Sequence, residues 1–344
     1  MSRSSSPMVG IVEAETPTVT DKEMNALAES DLLQRLQERL GPVYARQRLG
    51  IEEESVPRVF GKGFNFFHPE NWYSSHALLR YTLKLSGLYW RGRKNTLEFR
   101  IIDNELYLPQ LPQVFDGMRL LHLSDLHLDM YEPLTEALIE QVGRLDYDLC
   151  VLTGDYRAWT FGPIERSMAA MRSLCTELKK PVFGVLGNHD SVRMVPELED
   201  MGIRMLLNEA VPIERENETI YLAGIDDAHY FRVDNIEKAA HAIPHAAVSL
   251  LLSHTPEIYL QAAHAGFDLF LCGHTHGGQI CLPGGFPLTL DSRCPRSLGA
   301  GNWRHNQMLG YTSVGAGASI VEVRLNCPPE ITLHRLRRGT SVSG

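Results

Sequence analysis

Residues 120–129 form the sequence LLHLSDLHLD, an apolar run that ends in acidic and histidine side chains. Four later segments have the same form: VLTGD at 151–155, GVLGNHD at 184–190, LLLSHTPE at 250–257 and LFLCGHTHGGQ at 269–279. Helical patterns near 132–145, 163–179, 193–201, 234–242 and 256–265 alternate with these runs. Continuously apolar strands that alternate with helices are typical of a sheet buried on both faces. The sequence therefore predicts an α/β fold.

Shorter strands are predicted on both sides of this region. Residues 97–108 are expected to form a hairpin that turns around Asp103 and Asn104, followed by an entry strand at 119–123. The closing third predicts strands near 309–314, 318–325 and 330–336. These strands look antiparallel, which adds an α+β character to the predicted fold.

The chain divides into four predicted regions. Residues 1–20 are rich in Ser, Thr and Pro and are predicted to be disordered, because they offer little apolar surface to offset the entropy of ordering. Residues 21–95 are predicted to be a helical, aromatic and basic N-terminal region, with a domain boundary near residue 95. Residues 96–338 would form the main domain, and 339–344 a C-terminal tail.

One short amphipathic helix is predicted within the N-terminal region. Leu33, Leu36, Leu40 and Val43 recur at helical spacing, and Gly41 is a candidate stop signal. Such a helix would serve packing or pairing.

The composition limits the class of protein. The 344 residues include 33 Lys and Arg against 42 Asp and Glu, a formal net charge of -9, which argues against a dedicated nucleic-acid binder. The six cysteines include no CxxC pair, so reduced thiols are expected. The sequence has neither a signal-peptide stretch nor a run of 18 apolar residues, which predicts a cytoplasmic protein without a spanning helix.

Residues 56–95 differ from their surroundings because they are both basic and aromatic. Leu78, Tyr81, Leu85 and Leu88 are expected to line one helical face. Two interpretations stay open. The segment could contact an anionic membrane surface as a peripheral anchor, or the face could dock on the main domain while the basic residues remain in solvent.

The polar side chains at the strand ends carry the chemistry. Ends of neighbouring strands in an open α/β sheet converge on one crevice, so five such clusters predict one site, although each alone is more typical of a helix cap or a structural hydrogen bond. The donors outnumber what one ion can use, and a carboxylate can bridge two ions, so a dinuclear site is expected. Imidazole with carboxylate and amide oxygen suits Mn, Fe or Zn. The candidate ligands are Asp125, His127, Asp155, Asn188, His254, His274 and His276.

This order of motifs, DxH, GD, GNHD, a single His and then GHTH, resembles the calcineurin-like metallophosphoesterase superfamily from about residue 97 to 336. The resemblance implies a four-layer αββα sandwich, here with a small helical N-terminal appendage. The run GHTHGGQ with ICLPG after it, and the ending YTSVGAGAS, are similar to a bacterial branch of small phosphoesterases. Some members of that branch are membrane-associated or cleave the pyrophosphate of nucleotide-linked lipid precursors.

The resemblance also implies roles for single residues. The first metal would be bound by Asp125, His127 and His276, and the second by Asn188, His254 and His274, with Asp155 bridging them. His189 would orient the phosphate and protonate the leaving oxygen, supported by Asp190. A bridging water, as hydroxide, would attack phosphorus in line, without a phosphoenzyme.

Two features depart from the common family pattern. The run VGAGASIVEV at 314–323 stands where related sequences often carry an arginine-containing segment. Arg157 is a candidate replacement for the missing phosphate contact, and its alternative is an exposed ion pair. His229 could overhang the site as a substrate contact, and its alternative is a structural histidine.

Three functions follow from this pattern. The first is a phosphodiesterase or pyrophosphatase that acts on a small, lipid-linked or nucleotide-linked phosphate compound. The second is a phosphomonoesterase of broad specificity, which would use the same metals. The third is a noncatalytic scaffold, against which the intact set of ligands argues.

Overall fold

The computed structural model describes residues 21–55 and 73–340. The first helices are α1 (Asp21–Leu40), α2 (Pro42–Glu54), α3 (Tyr73–Leu85) and α4 (Leu88–Asn95). Strand β1 (Arg100–Leu108) then opens the main part of the chain. The predictions for residues 1–20 and 341–344, and for 56–72 of the basic and aromatic segment, concern residues outside the described ranges.

Two six-stranded sheets form the centre of the molecule. In the first, β1 pairs with β14 (Glu330–Arg338), followed in order by β2 (Arg119–Leu123), β3 (Leu149–Leu152), β4 (Val182–Gly184) and β5 (Ile203–Met205). The second has the order β12 (Gly301–His305), β13 (Met308–Thr312), β9 (Leu269–Cys272), β8 (Ser249–Leu252), β7 (Glu218–Gly224) and β6 (Glu209–Arg215). A small hairpin joins β10 (Cys281–Leu282) to β11 (Phe286–Pro287).

The sheets lie face to face between two layers of helices. Leu120 and Val151 of the first sheet pack with Leu250 and Leu271 of the second in one buried cluster. The opposite face of the first sheet is covered by α5 (Pro133–Val142), α6 (Glu165–Cys175) and α7 (Val195–Asp200). The outer face of the second sheet packs against α8 (Ile236–Ala240) and α9 (Tyr259–His264).

This four-layer arrangement confirms the predicted fold class. It also explains the apolar runs, because successive side chains of a strand point to opposite faces and both faces are buried here. Leu121 and Cys150 face the helices, whereas Leu120 and Leu149 face the second sheet.

The N-terminal helices pack on the main sandwich. Leu36 of α1 and Ala45 of α2 are fully buried in the cluster that lies on the first sheet. Gly41 ends α1 as predicted, but α2 starts directly after it with Pro42, which the sequence analysis did not foresee. The guanidinium of Arg48 is buried and pairs with Asp226 at 3.0 Å, which ties α2 to the loop after β7.

The predicted hairpin at residues 97–108 is wrong. Residues 100–108 form the single strand β1, which pairs in parallel with β14 along its whole length. The turn-forming Asn104 lies inside this strand, where its side-chain amide donates to Asn302 and contacts His334 at 3.0 Å. Asn104 therefore makes side-chain contacts within a continuous strand and does not form the turn that the Asp-Asn pair suggests.

The predicted strand at 318–325 is also wrong. This segment is irregular, because side chains satisfy its backbone in place of a neighbouring strand. Gln279 accepts from the backbone N–H of Ser319 and donates to the carbonyl oxygens of Ser319 and Val321. The closing third is therefore mixed, since β14 is parallel to β1 and antiparallel to β2.

The predicted strands near 119–123, 309–314 and 330–336 and the five predicted helices after residue 130 are confirmed, with shifts of a few residues at their ends. All six cysteines are free thiols, as expected. Within residues 21–55 and 73–340, no helix is both long and apolar enough to cross a membrane.

Candidate metal centre

The candidate ligands follow the ends of β2, β3, β4, β8 and β9, and the sheets bring these ends together. Five of these residues adopt left-handed backbone angles, which side chains other than glycine rarely do: Asp125 (φ 51°), His127 (42°), Asp155 (56°), His274 (74°) and His276 (50°). Strained residues of this kind cluster where a site needs a fixed geometry. The turns are held by hydrogen bonds between strand ends, such as His127 N–H to the carbonyl oxygen of Asp155 at 3.0 Å.

The first cluster consists of Asp125, His127 and His276, whose ligand atoms all lie within 4.8 Å of one another. Nε2 of His127 is 3.1 Å from Nε2 of His276, which is 3.4 Å from Oδ1 of Asp125. The other ring nitrogen of His127, Nδ1, lies 2.7 Å from the carbonyl oxygen of Arg157. That nitrogen must donate to the carbonyl, so the lone pair of Nε2 faces the cluster.

The second cluster consists of Asp155, His254 and His274, with Asn188 beside them. Nε2 of His254 lies 2.9 Å from Oδ1 of Asn188 and 3.2 Å from Nδ1 of His274. Nδ1 of His254 donates to the carbonyl oxygen of Thr153 at 2.7 Å, which again fixes the ring. Nε2 of His274 is buried without a hydrogen-bond partner among the described residues.

Asp155 lies between the two clusters. Its Oδ2 is 3.6 Å from Nε2 of His127 in the first cluster and 3.3 Å from Nε2 of His254 in the second. Its other oxygen, Oδ1, accepts from the backbone N–H of His189 at 2.9 Å. The structure therefore brings all seven candidate ligands together around one carboxylate.

The charges of this buried site depend on one another. Burial acts to raise the pKa of Asp155, but the neighbouring His254, His189 and His127 outweigh it and hold the pKa well below its usual range. Burial would lower the pKa of His254, yet Asp155 raises it to about 10. Burial raises the pKa of Asp125. Ionised carboxylates in this buried site therefore need positive charge beside them, and a bound cation can supply it.

Asp190 holds the backbone of the site. Its buried carboxylate accepts three backbone N–H bonds: from Asp155 at 2.7 Å, Gly187 at 2.8 Å and Tyr156 at 2.9 Å. Burial raises the pKa of Asp190 to about 6, with Asp155 adding to the shift and the N–H of Gly187 opposing it. These contacts fix the backbone that carries Asp155. The predicted support of His189 by Asp190 stays a prediction.

His189 lies at the edge of the two clusters. Its Nε2 is 3.9 Å from Oδ2 of Asp155, and its Nδ1 is 3.3 Å from the hydroxyl of Thr160. The ring is thus near the bridging position without belonging to either cluster. Its role in protonating a leaving group stays a prediction.

Arg157 is not the exposed ion pair that the sequence suggested. Its side chain is buried, with only 3% of the residue exposed, and its guanidinium donates to the backbone carbonyls of His189, Thr160 and Gly162. Because these bonds direct the guanidinium at backbone oxygens, they favour a positioning role. The predicted contact with a substrate phosphate stays a prediction.

His229 lies against the second cluster. Its ring centroid is 4.2 Å from that of His274, and Nδ1 is 3.1 Å from a carboxylate oxygen of Glu257. Burial acts to lower its pKa, but Glu257 and Asp291 raise it to about 9. The ion pair with Glu257 was not foreseen, since the two residues are distant in sequence.

Arg324 is a functional candidate that the sequence analysis missed. It is fully buried, and its guanidinium lies 3.2 Å from Nδ1 of His276 while donating to the carbonyl oxygens of Gly317 at 2.7 Å and Val314 at 2.7 Å. It directly follows the run at 314–323 that looked short of an arginine. Arg324 therefore lies one position beyond the run in which an arginine was expected.

A pocket of about 320 Å³ opens over the clusters. Its polar floor includes Asp155, Asn188, His189, His274 and His276. Its wall is mostly apolar, with Leu79 of α3, Ile280, Leu288, Ile320 and Val321, and it also includes the polar side chains of Thr289, Asp291 and Ser319. The pocket can therefore hold a charged group at the floor and an apolar group against the wall.

Comparison with known proteins gives a consistent picture. A family model described as calcineurin-like phosphoesterase matches residues 118–278, which contain all of the candidate ligands. The uncharacterized metallophosphoesterase YkoQ of Bacillus subtilis is 30% identical over 264 residues, which cover 72% of this chain and 94% of that protein.

Two further relatives carry more specific names. The phosphodiesterase YaeI of Escherichia coli is 31% identical and is matched over 63% of this chain and 82% of its own. A zebrafish transmembrane protein with a metallophosphoesterase domain is 31% identical, over 68% of this chain and 56% of its own.

Proposed function

Since the chain belongs to the calcineurin-like phosphoesterase family and is a metal-dependent hydrolase of phosphate esters, we propose that it cleaves a phosphodiester or pyrophosphate bond with two divalent metal ions. The observation that carries the two-metal proposal is the position of the Asp155 carboxylate. Its Oδ2 lies 3.6 Å from Nε2 of His127 in the first cluster and 3.3 Å from Nε2 of His254 in the second, as is expected of a carboxylate that bridges two ions.

The donor atoms fit metal ions in spacing and in type. Donors around one ion at bonds of about 2.1 Å lie roughly 3.0–3.4 Å apart, and the observed separations of 3.1, 3.2 and 3.4 Å agree with this. The first ion would be held by Asp125, His127 and His276. The second would be held by Asn188, His254 and His274, and Asp155 would be shared. Nitrogen and oxygen donors without thiolate favour Mn, Fe or Zn.

When bound, two such ions would acidify water and neutralise the charge of a phosphate group. The chain itself orients the reaction. The carbonyl oxygens of Arg157 and Thr153 fix the rings of His127 and His254, so that their Nε2 atoms face the site. His189, which lines the pocket, would give a proton to the leaving oxygen.

The apolar side chains of the pocket wall favour a substrate that has an apolar part. Leu79, Ile280 and Leu288 line it, whereas a phosphomonoester of a small polar group would leave this surface in water. A lipid-linked or nucleotide-linked diester or pyrophosphate would use both the wall and the floor. A phosphomonoesterase is the alternative, and it would use the same ligands.

A noncatalytic scaffold is the third candidate. Relatives that serve only as scaffolds would be expected to lack metal ligands, yet all seven donors are present and gathered here. We therefore favour catalysis.

The test is Asp155→Asn, assayed with manganese and bis-p-nitrophenyl phosphate. We expect turnover to fall at least about a thousandfold and the manganese stoichiometry in calorimetry to fall below two per chain, because the shared ligand is lost. The control is Asp146→Asn, whose side chain is 83% exposed and which should behave as the parent protein does. An unchanged rate in Asp155→Asn would reject the two-metal proposal.

A screen of substrates separates the first two candidates. Monoesters, diesters and nucleotide-linked lipids would be compared at equal concentration. A preference for a monoester of a small polar group would favour the phosphomonoesterase.

A further inference from the structure

Helices α3 and α4 expose an apolar face to solvent. The exposed fractions are 69% for Leu78, 65% for Tyr81, 90% for Leu85 and 64% for Trp90. The opposite side of the same helices is anchored, since Leu83 and Tyr89 are buried against residues 321–325. The interpretation that the outer face docks on the main domain is therefore wrong for the described part of this segment.

A second group of exposed apolar side chains lies on the β10–β11 hairpin beside the pocket. The β10–β11 hairpin and the residue after it expose Leu282 (46%), Phe286 (63%) and Leu288 (57%). Leu288, directly after the hairpin, and Leu79 of α3 both line the pocket. Most exposed large apolar side chains in the described part of the chain thus lie on the two segments that wall the pocket.

The charge of the helical segment is opposite to that of the whole chain. Residues 73–95 contain five basic residues and no acidic residue, whereas the protein carries a net charge of -9. Arg80 pairs with Glu322 at 2.6 Å and Arg93 lies over the ring of Tyr131, so both are used within the fold. Lys84 and Arg91 are both exposed, and the Lys84 ammonium also lies 5.0 Å from the centre of the Tyr89 ring. Lys94 pairs with Glu98 at 3.4 Å.

We propose that this surface, formed by the outer face of α3–α4 and the β10–β11 hairpin, docks on an anionic lipid bilayer. Leucine and tryptophan enter the interface while lysine and arginine contact anionic headgroups, as is typical of helices that lie in the plane of a membrane. The mouth of the pocket would then lie at the headgroups. The inference rests on the proposed function for what the pocket does there, but the docking itself does not need it.

The charges favour a bilayer over a second copy of the chain. A symmetric dimer through this surface would set the helices of one copy, which contain basic but no acidic residues, against the same helices of the other, and like charges repel. An anionic membrane instead offers complementary charge to these basic residues.

The experiment measures cosedimentation of the full chain with vesicles. Vesicles of phosphatidylcholine with about 30% phosphatidylglycerol are compared with phosphatidylcholine alone, at about 0.1 M and about 0.5 M NaCl. We expect binding to the anionic vesicles, reduced at high salt. Leu85→Glu should weaken this binding at least about tenfold, because it removes an exposed apolar group and adds a negative charge. The matched control is Leu27→Glu on α1, where the leucine is 66% exposed, and its binding should not change.

Other outcomes are equally decisive. Failure of the parent protein to bind anionic vesicles, or equal binding by Leu85→Glu, overturns the docking proposal. A dimer of the parent protein that Leu85→Glu converts to a monomer, as measured by sedimentation, would assign the surface to a second copy and also overturns it.

Turnover of bis-p-nitrophenyl phosphate separates this proposal from the proposed function. Leu85→Glu should keep the parent rate on this water-soluble diester, since Leu85 lies outside the pocket. Asp155→Asn should lose the rate and still bind vesicles.

Discussion

Replacement of Asp190 by Asn tests whether this residue holds the centre in place. The carboxylate accepts from Asp155 N–H and Gly187 N–H on Oδ2, and from Tyr156 N–H on Oδ1. An amide can keep the first two bonds on its oxygen, but its NH2 group then faces the N–H of Tyr156. One charge-assisted bond is lost, and two buried donors are left facing each other.

The magnitude follows from these contacts. A hydrogen bond to a charged group contributes about 1.5–3 kcal/mol, and a buried donor without a partner costs roughly 1–3 kcal/mol. Since these terms overlap, we expect a loss of about 2–4 kcal/mol in the free energy of unfolding. That corresponds to a fall of roughly 3–6 °C in Tm for a chain of this size. The displaced backbone of Asp155 should also weaken manganese binding by about 10- to 100-fold.

The assay is thermal unfolding with calorimetric titration of manganese, both at about pH 8, where a carboxyl group with a pKa of about 6 is ionised. Asp146→Asn again controls for the loss of a carboxylate. A Tm within about 1 °C of the parent value, together with unchanged manganese affinity, would refute this account of Asp190.

Two further predictions concern positions around the centre. Gly187→Ala should abolish turnover and manganese binding while the chain still folds, because its Cβ would collide with the Asp155 carboxylate and backbone; normal manganese binding in calorimetry would contradict this. Glu322→Gln should lower the free energy of urea unfolding at neutral pH by about 1 kcal/mol, because Glu322 accepts from Tyr89 and Arg80. Burial acts to raise the pKa of Glu322, but Tyr89 and Arg80 outweigh it and lower the pKa, so this stability is full above the ordinary value of 4.5 and is lost as the pH falls below it. A difference between parent and variant that persists at low pH would argue against this ion pair.

The metal centre and the membrane-docking surface lie on different parts of the molecule, so each can be altered without the other. The two-metal proposal depends on donors at the ends of central strands, and the membrane proposal depends on helices that flank the pocket. Together, the two proposals imply that a lipid-linked substrate could be cleaved while it remains in the membrane. That consequence holds only if both proposals survive their tests.

The class of fold and the set of candidate ligands can be read from the amino-acid sequence alone. Strands buried on both faces are continuously apolar, so their ends stand out as the places where Asp, Asn and His begin. Carboxyl ends of parallel strands meet at one edge, so residues as distant as Asp125 and His276 could be assigned to one crevice before any distance was known.

The pairing of distant segments and the exposure of individual faces cannot be read from local sequence and require the folded chain. The parallel pairing of β1 with β14 joins the two ends of the main domain, and no local signal distinguishes that strand from a hairpin. The contacts of Arg157, Arg324 and the ion pair of His229 with Glu257 depend on the same long-range packing. The outer face of α3 has helical spacing whether it is covered or exposed. Spacing along the chain records which side chains share a face, but what lies opposite that face is fixed by residues far away in sequence.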